Sequence, residues 1–265
     1  MSESCMLWPV RREDLAITTE ASTYALRVER STTETLTVGP FTADADYYFR
    51  GDGSADDLCK ILKTALDTHT NAGAGFTVSL TARNVITVSH ANNFKLLWGD
   101  GATTLKSIPF GFAQTNSLIS NSSQVAAAQT RGIWAPRRHP SFDTEEQPRY
   151  AIGAAVALSG RQRVSRYVEA KVERRIVYEL LERKYARNFA AEVAEPTNTV
   201  EDAWEYALTL GREIEWYDDA SDRSAEAVYV LAAEAYRTGN LEDVLQKDQA
   251  NRLRYTATFQ FRGIA

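Results

Sequence analysis

The sequence predicts an α+β fold that is mostly β: two β-rich domains, a small sheet with one helix and then an antiparallel sheet or sandwich with two helices, joined by an extended arm. Three observations lead there. The final stretch, Arg252 to Arg262, places Leu253, Tyr255, Ala257, Phe259 and Phe261 at one parity and Arg252, Arg254, Thr256, Thr258, Gln260 and Arg262 at the other, the period-two signature of a strand over a core. Shorter stretches of the same alternation recur through the chain, with few amphipathic helical patterns between them. From Gln114 to Arg149 the composition shifts to Ser, Asn, Gln, Pro and Arg, longer than an ordinary connection inside a compact domain. The expected division is therefore 1–113, a linker or arm over 114–150, and 151–265.

In the first domain, Tyr24 to Val28 and Glu34 to Val38 alternate as strands, and Glu29 to Thr33 closes them into a hairpin. Ser54 is the expected cap of a helix from about Ala55 to about His69, with Asp56 and Asp57 at its positive end. Leu58, Ile61, Leu62, Ala65 and Leu66 form its buried face. Three short strands follow, Phe76 to Leu80, Asn84 to Ser89 and Phe94 to Trp98. Gly51-Asp52-Gly53 and Gly99-Asp100-Gly101 read as turns with positive φ; a phosphate loop would need more glycines and a Lys-Ser/Thr pair.

Ile133, Trp134, Phe142 and Tyr150 lie among prolines and basic residues, which favours an arm that orders on a partner over a bare linker. In the second domain Ala154, Val156 and Leu158 alternate. The segment Arg161 to Leu181 fits a helix through Val164, Val168, Val172, Ile176 and Leu180 or a strand pair, Gln162 to Glu169 with Lys171 to Leu181; the pair suits the sheet that the final strand requires. Helices are expected over Tyr185 to Ala194 and Val200 to Leu210, the second capped by Asn198 or Thr199. Ile214 to Tyr217, Val228 to Ala232 and Leu253 to Phe261 then complete one mostly antiparallel sheet.

Composition narrows the function. The chain has 265 residues and a net charge of -5, which argues against affinity of the whole protein for nucleic acid and leaves only a local basic face. No apolar run is long enough to span a bilayer, and no leader pattern opens the chain, so synthesis in the cytosol is expected. Cys5 and Cys59 are the only cysteines, too few for a disulfide framework or a four-cysteine zinc site, and read as buried thiols. His69, His90 and His139 have no second ligand at metal spacing and read as solvated. No Gly-x-Ser-x-Gly elbow is present. The acidic turn at Asp218, Asp219 and Asp222 lacks the glycine and closing glutamate of a calcium loop, and Arg50-Gly51-Asp52 matches an integrin tripeptide only by its letters. No catalytic residue, metal or cofactor is assigned. The basic residues Arg161, Arg163, Arg166, Lys171, Arg174 and Arg175 read as a solvated or intersubunit face ahead of a nucleic-acid surface.

Several segments carry a resemblance. Arg174 to Leu181, the helix with Val200-Glu201-Asp202-Ala203-Trp204 ending at Leu210-Gly211, Ile214 to Asp218, Val228 to Leu231 and the terminal strand together resemble tail structural proteins of tailed bacteriophages, most nearly the distal tail family at the tube-to-baseplate junction. Tyr47-Tyr48-Phe49, Ser54 to Leu58 and Phe94 to Trp98 are similar to segments of other phage virion proteins. The resemblance implies a ring-forming part of the virion tail without enzymatic activity, made in the host cytoplasm. It also implies a homo-oligomer of six-fold or three-fold symmetry that contacts tail tube and tail tip or baseplate proteins, with DNA met only as it passes through a lumen. Trp134, Arg137, Arg138, Arg161, Arg163, Arg174 and Arg254 are the candidate subunit contacts. The alternatives are a carbohydrate-binding module on a tail tip, with Trp8, Trp98, Trp134 and Tyr residues as a stacking platform, another virion connector or tail completion protein, and a hydrolase built from dispersed carboxylates.

Overall fold

The computed structural model describes residues 5–17, 21–71, 73–116, 119–135, 145–149, 152–156, 162–166, 171–182, 198–199, 202–203, 214–217, 220, 228–230, 246–247 and 253–262. Among them strands dominate and helices are few and short, so the mostly β character read from the alternation holds.

The first strand is β1, Cys5–Leu7, followed by the single helical turn α1, Arg12–Leu15. The expected hairpin forms from β2, Tyr24–Arg30, and β3, Thr32–Val38, each a little longer than the alternation suggested. Tyr24 stands opposite Val38 and Arg30 opposite Thr32. Inward residues Tyr24, Leu26 and Val28 are buried while Ala25 and Arg27 are half-buried.

Helix α2, Leu58–Leu66, starts later than expected, and its cap is Asp57 rather than Ser54. The reason lies in the pairing before it: the Tyr48 amide donates to the Asp56 carbonyl at 3.0 Å and the Leu58 amide to the Tyr48 carbonyl at 2.8 Å. These bonds hold residues 56–57 extended, so the first free helical amides fall beyond them. Asp57 accepts from the Cys59 amide at 3.0 Å, and Ser54 instead donates its hydroxyl to Asp52 at 2.7 Å. The apolar face of the helix is as read, with Leu58, Leu62, Ala65 and Leu66 buried and Ile61 packed against the same core.

After β4, Thr77–Leu80, the two strands expected at 84–89 and 94–98 are one continuous strand, β5, Ile86–Leu97. The polar interval His90 to Asn93, which suggested a turn, is a shift of register between Ser89 and Phe94 in the pairing with β6, Asn121–Val125. The first part of β5 lies between β4 and β6, and its last part pairs β2, with Glu29 opposite Lys95. One strand thus belongs to two sheet segments, as strands do where a sheet turns a corner through an irregularity. Beneath it Trp98 stacks on Phe112 with centroids 5.4 Å apart and meets Phe110 at 5.7 Å.

Gly51 and Gly53 have φ of 73° and 75°, as the first Gly-Asp-Gly turn requires. The second turn works otherwise: Gly99 has no positive φ, and a Cβ there would come within 2.8 Å of the Thr115 backbone. Close approach, and not backbone handedness, selects that glycine.

The stretch expected as a linker or free arm contributes strands. Asn121–Val125 is β6; Ile133–Trp134 is β7 and pairs β1; Glu145–Arg149 is β8. Ile133 and Trp134 are buried, which corrects the reading of this stretch as an arm with exposed aromatics at those positions. The chain continues through β9, Ile152–Val156, β10, Gln162–Arg166, and β11, Lys171–Glu182. Residues 162–166 and 171–182 are therefore strands and not helix. Their expected mutual pairing is corrected: β10 pairs β9, and β11 pairs β8 on one side and β15, Leu253–Arg262, on the other.

The remaining strands are β12, Ile214–Tyr217, β13, Val228–Val230, and β14, Gln246–Lys247. They too divide differently from expectation. The terminal strand sits in a four-stranded sheet ordered β14-β15-β11-β8, whereas β12 and β13 belong to another, ordered β13-β12-β1-β7. That second sheet joins residues 5–7 to 214–217 and so draws from both sides of the expected boundaries.

The helix expected at 185–194 lies outside the described residues. Of the one expected at 200–210, residues 202–203 are described and helical. Thr199 is its cap: its hydroxyl accepts from the Asp202 amide at 3.2 Å while Asp202 accepts from the Thr199 amide at 2.7 Å, a reciprocal capping arrangement. Asn198 faces away from that role, donating to the Thr130 carbonyl at 2.7 Å and accepting from the Gly132 amide at 3.2 Å.

Candidate functional site

The most concentrated polar chemistry among the described residues lies where β12 meets the loop after Phe49. Glu215 stands in Ile-Glu-Trp-Tyr, four consecutive residues that are all buried, so its carboxylate has left water and needs a cation. Arg50 supplies one. Its Nε donates to Glu215 Oε2 at 3.2 Å and its Nη2 to Glu215 Oε1, a two-pronged pairing. Arg50 Nη1 also donates to Asp56 Oδ2 at 2.9 Å, and the guanidinium lies 3.8 Å from the Tyr48 ring centroid. The Tyr217 hydroxyl donates to Glu215 Oε2 at 2.7 Å.

Burial works to lower the Arg50 pKa, but the hydrogen bonds and charge of Glu215, with Asp56, outweigh it and push it above the ordinary arginine value. The guanidinium and the phenol engage both carboxylate oxygens, so the cluster acts as a clamp between the elements that carry it. It fastens the hydrophobic cluster of Cys5, Leu7, Ile133 and Tyr217 to the larger one built on β2, β5 and α2. The same contacts engage the arginine of Arg50-Gly51-Asp52, so the tripeptide does not present its cation as a free recognition element. Sequence reading passed over Glu215. The available signal was a lone glutamate in a strand without alternation, which implies a strand buried on both faces and a partner charge.

A second polar group closes the end of α2. His69 is fully buried and its Nδ1 stands 3.6 Å from Glu34 Oε1. Glu34 accepts from the Thr70 hydroxyl and from the Thr70 amide at 2.9 Å, bonds that hold its carboxyl below the usual glutamate range. His90 is also buried; it lies against Phe76 with centroids 4.5 Å apart and accepts from the Asn92 amide at 3.1 Å. The expectation that these histidines are solvated is corrected: both are buried, His69 with its Nδ1 beside Glu34 and His90 against the Phe76 ring. His139 lies outside the described residues. Among the described residues no group of three or more His, Cys, Asp or Glu is placed to hold a metal ion. Cys5 and Cys59 are buried, as expected.

The candidate contact residues are dispersed. Trp134 is buried within the single chain, 1% exposed, so the accessible indole on which its contact role rested is not what the fold presents. Arg163 lies on β10 opposite Ala155. On β11, Arg174 stands opposite Phe261 on one side and Glu146 on the other, and Arg254 of β15 is opposite Glu182 and Gln246. Arg137, Arg138 and Arg161 lie outside the described residues, as do Asp218, Asp219 and Asp222. The tryptophans of the stacking platform are corrected as well: Trp8, Trp98 and Trp134 are 6%, 0% and 1% exposed and offer no surface to a sugar ring. No described helix is long and apolar enough to cross a membrane.

No family model, no curated protein and no solved structure matches this chain.

Proposed function

We propose that this chain is a structural component of a bacteriophage tail that forms a ring at the junction of the tail tube with the tip or baseplate, as the distal tail family does. The observation that carries the reading is the sheet β14-β15-β11-β8: β11 and β15, two of the segments in which the sequence resembles that family, are long antiparallel neighbours, with Ile176 opposite Phe259 and Tyr178 opposite Ala257. Strand-rich architecture with few helices and a terminal strand enclosed by its neighbours suits a part that adds sheets to a ring. In this reading residues 1–113 and 151–265 supply two β-rich units, and 114–150 runs between them, adding β6 and β7 to one side and β8 to the other. The partners are further copies of the chain, in six-fold or three-fold symmetry, and proteins of the tail tube and tail tip or baseplate. The protein works without a cofactor or an enzymatic activity, and meets nucleic acid only as DNA passing through the lumen.

The test is to identify the protein in purified particles by mass spectrometry and to weigh its native oligomers. Presence in tails together with a ring of six or three copies is expected. A protein absent from every particle and monomeric at high concentration would sink the reading.

A further inference from the structure

We infer that the chain folds as two cooperative units interleaved along the sequence: residues 198–217 are a strap that returns to complete the first unit, and the sheet β14-β15-β11-β8 belongs to the second. This goes beyond the tail reading and does not rest on it.

The strap is fixed at both ends to residues far earlier in the chain. At its start Asn198, 1% exposed, donates to the Thr130 carbonyl at 2.7 Å and accepts from the Gly132 amide at 3.2 Å, across 68 and 66 positions. At its end β12 pairs β1, with Met6 opposite Trp216 and Leu7 opposite Glu215, and Glu215 takes the Arg50 guanidinium. Without β12, β1 and β7 would be three residues laddered on two, too short a pair to hold in water. The loops beside them tie the same sheet to the first core. The Trp8 amide donates to the Gly132 carbonyl at 2.9 Å, the Thr130 amide to the Asn84 carbonyl at 2.9 Å and the Arg131 amide to the Pro109 carbonyl at 2.8 Å. Residues 5–135 and 198–217 therefore share one network of hydrogen bonds.

Strands β8 to β11 lie in the chain between the two parts of that network, and the strap begins beside Gly132, close to where the first part ends. Their ladders run elsewhere: β9 pairs β10, and β11 pairs β8 and β15. Among the described residues no ladder joins either of these sheets to the first unit. Separate contacts within, and few across, define an independent unit, and such units open at their own free energies. β13 pairs β12 and lies beside β15, so residues 228–230 mark the boundary. The consequence is an order of events: the first unit cannot close until residue 217 has been made, whereas the sheet of β11 and β15 opens while the first unit stays intact.

The experiment is hydrogen–deuterium exchange of the full chain, read segment by segment by mass spectrometry, with tryptophan emission measured alongside. All five tryptophans, Trp8, Trp98, Trp134, Trp204 and Trp216, fall within 1–135 or 198–217, so emission reports on the first unit. Leu62→Ala, in the first core, is expected to quicken exchange at least about ten-fold in 24–38, 86–97 and 214–217 together, and to leave 171–182 and 253–262 unchanged. Ile176→Ala, opposite Phe259 on β11, is expected to do the reverse with emission unmoved. Asn198→Ala, which touches only the strap, should quicken 5–7 and 214–217 but not 253–262. Should Leu62→Ala prevent the first unit from folding, emission moves to the red while 171–182 and 253–262 keep their protection; protection lost there as well overturns the inference. Exchange in 214–217 that follows 253–262 instead of 24–38 overturns the strap, and an equal response of all segments to both core variants overturns the two units.

Discussion

At the scale of single residues, the energetics centre on the pairing of Arg50 with Glu215. Removing one partner of a buried ion pair strands the other without water, at a cost of about 3–5 kcal/mol, whereas replacing both with apolar residues of similar volume is often neutral. Glu215→Ala is thus expected to lose about 3 kcal/mol in urea denaturation, with Arg50→Met/Glu215→Leu recovering most of it. Equal losses in the single and double variants would show that the pair contributes by filling space. A titration makes a second residue-level case. Glu34 is held below the usual glutamate range chiefly by the Thr70 hydroxyl and amide. A depressed folded value means that this contribution is fully present above the unfolded glutamate pKa and is lost as pH falls through the folded one. Thr70→Val should move the Glu34 carboxyl back up toward its ordinary value in an NMR titration; an unmoved titration would assign the shift to another cause.

At the scale of elements, α2 and β5 organise the first core. Leu62 is fully buried at the centre of the helix face, and truncation of a buried leucine costs about 2–5 kcal/mol. Leu62→Ala is expected in that range by thermal or chemical denaturation, while Lys63→Ala, on the exposed side, stays within about 0.5 kcal/mol. β5 is more demanding, because Ile86, Val88, Phe94 and Leu96 are all buried along one strand shared by two pairings. The helix face was legible in the chain because its apolar spacing repeats within one element. The helix start was not, since the residues that delay it are tied by a bridge to Tyr48 that no local pattern reveals.

At the scale of the whole molecule, the terminal strand is the test piece. Its alternation predicts that Phe259→Asp or Phe261→Asp abolishes folding of its sheet, measured as loss of that sheet's cooperative unfolding transition, whereas Arg254→Glu leaves the fold intact and disturbs assembly of the proposed ring. An Arg254→Glu protein that assembles normally would reduce that position to solvated surface. The register adds a refinement, because β15 is flanked on both sides, by β14 and β11. It is an interior strand, so a substitution there disturbs two neighbours.

The sequence by itself determined where several of the strands lie and which helix face is apolar, because period two and period 3.6 are local properties of a chain segment. It carried the terminal strand, the β2-β3 hairpin, the buried thiols and a helix cap at Asn198 or Thr199, of which the structure selects Thr199. Tertiary structure alone decided partners. Cys5–Leu7 is flanked by residues 214–217 and 133–134, and alternation in each segment is equally compatible with many neighbours. The same holds for the site. Trp134, placed among prolines and arginines, read as exposed until β1 covered it. Glu215 stood unremarked in its segment until burial on both faces of its strand required Arg50, 165 residues away in sequence. Pairing across such distances is settled by which surfaces can be removed from water together, a property of the folded molecule that no segment holds alone.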